Sequence, residues 1–385
     1  MTHVHRLCKT CLQIYYKMIR WKKKIMFLLM LLMLLLVATI NTRYKVLKTI
    51  DKNSVMYFNQ TEKESEIISN NLYKTQLLNL TEINDLIPST IKTMQSTNQK
   101  DILAKEMEIL SHIIFDSVEK NNAIVYTTVI IISSHVYYRN RRNMIRESWG
   151  NSYNWITNEK YLVVFFVARI TDAKATIHMA DESKVQKDIV FVDIIEDFYL
   201  LTKKVIIELV WAKKNVKFKT LLKGDDDAFI NIDNIMNFIK SIDITDGYFG
   251  NVIYNGRVKR YGRYGVSKVE FENDYYHPYC SGGGFILTNS SVYKMTSIFD
   301  LNKVFRIDDA YVGEIAFQAG ITAHHKNGFY MNNGICKYFK ETLVTHPADN
   351  PGCNSFLLSR SLINNKKLPR NLRLENHACF DENIC

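Results

Sequence analysis

Three consecutive carboxylates in Leu221-Leu222-Lys223-Gly224-Asp225-Asp226-Asp227-Ala228-Phe229-Ile230-Asn231 directly follow an apolar run, Phe218 to Leu222. Adjacent like charges repel, so the triplet is costly unless solvent or a cation takes up the charge. Hard carboxylate oxygens where a strand ends suit Mg²⁺ or Mn²⁺, with coordination positions left open for phosphate oxygens. The plain alternative is a solvated acidic turn that caps a helix over residues 232–242. Apolar residues on both sides pin the turn into the body and favour the site.

A second group is Arg306-Ile307-Asp308-Asp309-Ala310-Tyr311-Val312-Gly313-Glu314. Asp308 has an ordinary use as an N-cap, Asp309 complements the helix dipole, and Gly320 is the expected C-terminal stop. A carboxylate held at the head of a helix is also a rigid candidate for a general base. A third group, Tyr279-Cys280-Ser281-Gly282-Gly283-Gly284-Phe285, reads as a turn or bulge, or as a place where a ligand approaches the main chain. It lacks the spacing of a phosphate-binding glycine loop. Finally, Arg139, Arg141, Arg142 and Arg146 follow the first apolar run of the body. Arg142 and Arg146 are four apart and share one helix face, either as a solvated basic face or as contacts for a diphosphate.

The elements that must position these residues are legible as short apolar runs: residues 123–132, 161–167, 189–195, 218–222 and 248–254. Helical patterns lie between them, including residues 200–214, where Val205/Leu209 and Ile206/Val210 repeat at i, i+4. Strands buried on both faces and alternating with helices predict an α/β fold around a mostly parallel, Rossmann-like sheet. Ligands in such sheets bind beyond the carboxyl ends of the strands.

Ahead of this domain, Lys22-Lys23-Lys24 precedes sixteen uncharged residues, Ile25 to Ile40. At 1.5 Å per residue they span roughly 24 Å, short of the ~30 Å hydrocarbon core and suited to a thin early-secretory bilayer. The lysines stay cytosolic, which predicts a single-pass type II membrane protein with its body lumenal. The expected layout is a cytosolic tail (1–24), a transmembrane signal anchor (25–40), a stem (41–122) and a lumenal catalytic domain (123–385). A cleaved signal peptide fits less well, because the basic lead is long and no small-residue site follows. The stem region is polar and lacks Gly, yet Ile102, Leu103, Met107, Leu110, Ile114 and Val118 recur at helical spacing. A helix there would pack on the main domain or on a second copy, so a homodimer through the stem is one expectation. Lumenal placement would make Asn59, Asn79 and Asn289 glycosylation acceptors and would favour one or two disulfides among Cys280, Cys336, Cys353, Cys379 and Cys385. One thiol is then left over or pairs with another chain. Cys8 and Cys11 suit palmitoylation better than zinc.

The net charge of +11 over 385 residues invites a nucleic-acid reading. Seven of the 50 basic residues, and no acidic one, lie within Met1 to Lys24, which leaves 43 against 39 elsewhere. The body is therefore nearly neutral, and a nucleic-acid partner is not expected.

Together these segments resemble glycosyltransferase family 31, the β-1,3-galactosyltransferase and β-1,3-N-acetylglucosaminyltransferase group. Arg142 to Gly150 is similar to R-x-x-I-R-x-T-W-G, with Ser148 in place of Thr. Lys223 to Asn231 resembles K-x-D-D-D-x-F-x-N, Tyr279 to Phe285 resembles Y-C-S-G-G-G-Y, and Asp309 to Gly313 resembles the E-D-V-Y-V-G block. The four blocks stand in order between Val125 and His346. Asp308 replaces Glu and Ala310 replaces Val in the last of them.

The resemblance implies a GT-A-type fold, a UDP-sugar donor, Mn²⁺ or Mg²⁺, an acceptor glycan on glycoprotein or glycolipid, and residence in the Golgi membrane. It implies Asp227 as direct metal ligand, His346 as second ligand, Asp225 and Asp226 near ribose and metal, and Asp309 as catalytic base. Arg142, Arg146 and Lys223 would attend the nucleotide, and Gly282, Gly283, Gly284 and Asp308 the sugar or acceptor side. The implied reaction is inverting transfer of a hexose, galactose foremost, to a 3-hydroxyl in β linkage. N-acetylglucosaminyl or N-acetylgalactosaminyl transfer, an inactive carbohydrate-binding homologue, and a two-metal phosphohydrolase are the competing readings.

Overall fold

The computed structural model describes residues 89–332, 334–348 and 351–365. The expected tail, anchor and most of the stem, with Asn59, Asn79, Cys379 and Cys385, lie outside the described residues. In chain order the elements are α1 (Ser89–Leu110), β1 (Ile113–Asp116), β2 (Tyr126–Ser134), α2 (Arg139–Glu147), β3 (Tyr161–Arg169), α3 (Ala173–Gln186), β4 (Ile189–Ile195), α4 (Leu201–Asn215) and β5 (Phe218–Asp225). They continue with β6 (Phe229–Ile230), α5 (Ile232–Lys240), β7 (Tyr248–Ile253), β8 (Tyr279–Thr288), α6 (Asn289–Thr296), α7 (Asp308–Gln318), β9 (Ala323–His325), β10 (Phe329–Tyr330), β11 (Val344–Thr345) and α8 (Pro351–Asn364).

All five apolar runs form strands of one eight-stranded sheet, ordered β1-β4-β3-β2-β5-β8-β7-β9. The sheet is mixed but mostly parallel, as expected: β2, β3, β4, β5, β7 and β9 run one way, and only β1 and β8 oppose them. β8 is antiparallel to both β5 and β7, and β1 is antiparallel to β4. An apolar run reports burial on both faces and carries no information about strand direction. Successive β2 residues feed two cores on opposite faces: Val129 and Ile131 pack with α4 residues such as Leu209 and Trp211, while Ile130 and Ile132 pack with Ile145, Trp149 and Ile235.

Between β2 and β5 the strand order reverses, since β3 and β4 lie to one side of β2 and β5 to the other. Ser133 and Asp225 are register partners there, at the carboxyl ends of both strands. Such a switch point leaves a crevice for a ligand.

Residues 89–122, expected in the stem, belong to the same compact unit as the sheet. β1 extends the sheet beside β4. Glu106 of α1 takes Lys213 (2.6 Å) and Lys214 (2.5 Å) of α4, and Asp116 accepts the Trp211 indole N–H at 2.8 Å. The helix does pack on the main domain, through Ile109 and Glu106 together with Leu110 of the anticipated stripe, whose later members Ile114 and Val118 also join the two cores. Cys336 and Cys353 form a disulfide, and Cys280 is a buried free thiol. Burial keeps Cys280 from bridging to another chain.

Candidate active site

The acidic turn is positioned from three directions. β5 delivers Asp225 at the carboxyl edge; the short β6 and the Asn231 cap of α5, whose side chain accepts from Asn234 N–H, anchor the other side. The acids are therefore not the cap. Trp149 is fully buried and donates its indole N–H to the Ala228 carbonyl at 3.0 Å, which ties the end of α2 to the turn.

The three carboxylates have three environments. Asp226 is buried, accepting from Ser134 Oγ at 2.7 Å and from Arg141 Nη1 at 2.9 Å. Burial raises its carboxyl above the usual range although Ser134 and Arg141 oppose the shift. Asp225 pairs with Lys223 Nζ at 2.6 Å. Asp227 faces His346, whose Nε2 stands 3.1 Å from Oδ1. Burial alone would raise the Asp227 carboxyl, but His346 and then Arg141 hold it below the usual range. Burial would likewise lower His346, and Asp227 and Asp225 raise it instead.

Asp225, Asp227 and His346 each offer a ligand atom, all within 4.8 Å of one another. Asp227 Oδ1 is buried without an aligned hydrogen-bond donor, an orphan that a cation would satisfy. Two carboxylates and one imidazole fit a hard divalent ion such as Mn²⁺. Asp226 turns away from this trio, into Ser134 and Arg141.

The triple glycine is not a loop. Gly282, Gly283 and Gly284 lie inside β8, and their missing side chains let the head of α7 and the β11 segment with His346 approach. A Cβ on Gly283 would stand 2.6 Å from His346 Cγ, and one on Gly284 would stand 2.8 Å from Val344 Cγ1. Gly282 lies against Asp309: its N–H donates to Asp309 Oδ2 at 3.2 Å, while its carbonyl accepts from Lys223 Nζ at 3.3 Å. One residue, Gly282, thus links the acidic turn to the head of α7.

Asp308 and Asp309 begin α7 and Ile307 precedes them as N-cap, so Asp308 is not the cap. Gly320 ends the helix at φ +72°, with Ile321 N–H bonded to the Ala316 carbonyl. Burial, then the neighbouring Asp308, raises the Asp309 carboxyl to about 7, against donation from Ala310 and Gly282 N–H. Burial and Asp225 raise Asp308, opposed by Lys223. Burial would lower the Lys223 ammonium, but Asp225, Asp308 and Glu208 outweigh it and hold it above its ordinary value.

Arg142 and Arg146 are not at this site. Arg142 is fully buried and spends its donors on Glu182 (2.7 and 2.9 Å), Ser134 Oγ (2.9 Å) and the His135 carbonyl (2.7 Å). Arg146, one turn on, is carried towards the amino end of β4, where it grips Asp188 at 2.7 and 2.8 Å and Glu182 at 2.9 Å. A cavity of about 720 Å³ opens beside Arg146 and Asp188, away from the acids. Helical spacing identified the face but not the residue: Arg141, the neighbour of Arg142, is the cation that meets Asp226 and, at 3.4 Å, Asp227. Asn289 opens α6 half-buried, at the amino end of that helix.

Fold and site together define an α/β protein with a metal-competent acidic cluster at the switch point of a mixed sheet and a perturbed carboxylate alongside. Residues 140–327 match the family described as Galactosyltransferase, in line with the resemblance to glycosyltransferase family 31. The match includes Asp225, Asp227, Gly282 and Asp309 and stops short of His346. The chain is 30% identical to the human N-acetyllactosaminide beta-1,3-N-acetylglucosaminyltransferase 4, over 52% of this chain and 54% of that one. It is 27% identical to the rat UDP-GlcNAc:betaGal beta-1,3-N-acetylglucosaminyltransferase 7, over 57% and 60% respectively. For the mouse Beta-1,3-galactosyltransferase 1 the figures are 28%, 59% and 71%. The chain thus spans little more than half the length of the first two. Among solved structures, a mannosyltransferase from Pyrobaculum calidifontis in complex with GDP-Man and Mn²⁺ aligns at a TM-score of 0.32 with 14% identity, over 63% of this chain and 68% of that one, too distant to carry an argument.

Proposed function

We propose that this chain is an inverting β-1,3-glycosyltransferase that moves a hexose, galactose foremost, from a UDP-sugar to a 3-hydroxyl of an acceptor glycan. The relatives' names favour N-acetylglucosamine as the second donor sugar to test. The observation that carries the reading is the backbone of Gly282, which joins Asp309 through its N–H to Lys223 and the acidic turn through its carbonyl. A transferase needs a leaving-group site and an acceptor base in contact, and these two are one residue apart.

Asp227 and His346, with Asp225, would hold Mn²⁺ or Mg²⁺, which when bound supplies positive charge against the charge developing on the UDP leaving group. Arg141 orients Asp226 and Asp227, and Lys223 holds Asp225 in place. Asp309 accepts the proton of the acceptor hydroxyl; a carboxylate raised to about 7 is matched to that task near neutral pH. Attack from the face opposite the leaving diphosphate inverts α to β and needs no protein nucleophile. By the same reading the protein is a single-pass type II protein of the Golgi membrane, with Asn289 a glycosylation acceptor.

The experiment is UDP release by the full chain with Mn²⁺, each UDP-sugar in turn, and a panel of simple glycosides. The reading expects one donor whose UDP release is stimulated by acceptor. No acceptor-stimulated release with any UDP-sugar would contradict it.

A further inference from the structure

A second cluster is built on the carboxyl edge of the sheet, next to the head of α7. Three segments distant in sequence converge there: the turn after β4 at residues 198–200, the loop joining β7 to β8 at residues 254–278, and residues 305–307. The Arg263 guanidinium lies over the Phe198 ring at 4.4 Å, and the Tyr264 ring meets Phe198 edge-on at 5.3 Å. Lys259 Nζ lies over Tyr264 at 5.4 Å, and Arg306 covers Tyr199 at 4.8 Å. Arg306 is three residues before Asp309, the proposed base, so the cluster lies beside the head of α7.

The loop is held in shape rather than merely exposed. Arg260 donates to the carbonyls of Val266 (3.1 Å), Phe271 (2.8 Å) and Asn273 (2.5 Å), and Gly262 turns the chain at φ +79°. Phe271, Tyr276 and Phe305 pack beneath it at ring separations of 5.1 to 5.5 Å. Above that layer Tyr199 is 44% exposed, Tyr264 49% and Tyr261 90%.

The charges explain what such a surface would hold. Asp274 is taken by Arg260 and Lys268, and Glu270 by Arg306 and Ser267. Among the described residues Arg257, Lys259 and Arg263 have no carboxylate partner, although all three are exposed on this loop. Aromatic faces pack on the apolar faces of sugar rings, and an unpaired guanidinium offers a fork to a sulfate or carboxylate. An exposed patch that combines both marks a binding surface.

We propose that this platform binds an acceptor oligosaccharide carrying an acidic substituent, a sulfate or a sugar carboxylate. The assignment of the ligand as acceptor rests on the transferase reading; the binding of an acidic glycan does not. The test uses the full chain and a galactosyl-N-acetylglucosamine with and without a 6-O-sulfate. Direct binding is measured by calorimetry without donor, and transfer is measured as kcat/KM with the active UDP-sugar. The sulfated form should bind and react about tenfold better, the worth of one good charge-assisted pair. The double variant Lys259→Gln/Arg263→Gln should reduce that ratio to near one, and Arg263→Lys should leave it intermediate. Sulfate-selective binding that the double variant loses supports the platform even where no UDP-sugar is turned over, in which case the transferase reading alone falls. Equal binding of the two glycans, or a preference that survives the double variant, overturns the platform. So does retention of the wild type, but not the double variant, by phosphatidylserine nanodiscs without any glycan preference, which would assign the cations to a lipid surface.

Discussion

Gly283 lies so close beneath the His346 ring that a Cβ there would stand 2.6 Å from Cγ. The glycine is a packing requirement of the candidate metal site, and its residue type sets where the imidazole sits relative to Asp227. Gly283→Ala should therefore displace His346 and weaken Mn²⁺ binding by about tenfold or more, in the range expected when a ligand's support is removed. Isothermal titration with Mn²⁺ checks this, with the melting temperature recorded to separate displacement from unfolding.

Direct removal of ligands should be graded. Asp227→Ala should abolish metal-dependent UDP binding, because it removes the buried Oδ1 that faces His346 in the candidate metal site. His346→Ala should weaken it less, since Asp225 and Asp227 remain. Removal of metal by a chelator should stop UDP release and re-addition of Mn²⁺ should restore it; equilibrium binding of UDP with and without Mn²⁺ orders the three cases.

Arg141 and Arg142 should fail in different ways although they are adjacent. Arg142→Met leaves Glu182 buried without its main partner, and breaking a buried pair of this kind costs about 3–5 kcal/mol. Arg141→Gln removes a partly exposed cation from Asp226 and Asp227, so it should keep the fold and weaken UDP binding. Urea denaturation and UDP titration of both variants distinguish the two roles.

The pH dependence follows from the Asp309 carboxyl at about 7. The base acts only when deprotonated, so the rate should fall as pH drops through about 7 and level off above it. Asp308 contributes to the upward shift by like-charge repulsion, and Lys223 opposes it. Asp308→Asn removes the raising charge, and the acid limb of the pH profile should move to lower pH. A limb that moved upward would contradict the assignment of Asp308 as the raising charge.

Sequence carried more of the site than of the fold around it. Five of the six inner strands are legible because burial on both faces demands continuous apolar runs. The direction of β8 is not, because an antiparallel strand in mid-sheet is as apolar as a parallel one. α1 and β1 form an outer layer in a polar stretch of sequence, joined to the body by Ile109 and Phe115 and by the Glu106 pairs with Lys213 and Lys214, so they read as stem. The glycines stand out as costly, but only the packing of α7, β11 and His346 against β8 reveals why each is needed. Lys223, Asp225, Asp227 and Asp309 converge as their types suggest, whereas the choice between Arg141 and Arg142 depends on a side-chain direction that spacing alone does not fix.

The most direct measurement compares wild type with Asp309→Asn in two assays on one preparation: equilibrium binding of the UDP-sugar with Mn²⁺, and the rate of sugar transfer to acceptor. If Asp309 is the base, binding persists within about twofold while transfer falls by about 10²–10⁴, the usual contribution of a general base. Transfer at near wild-type rate by Asp309→Asn would contradict the account.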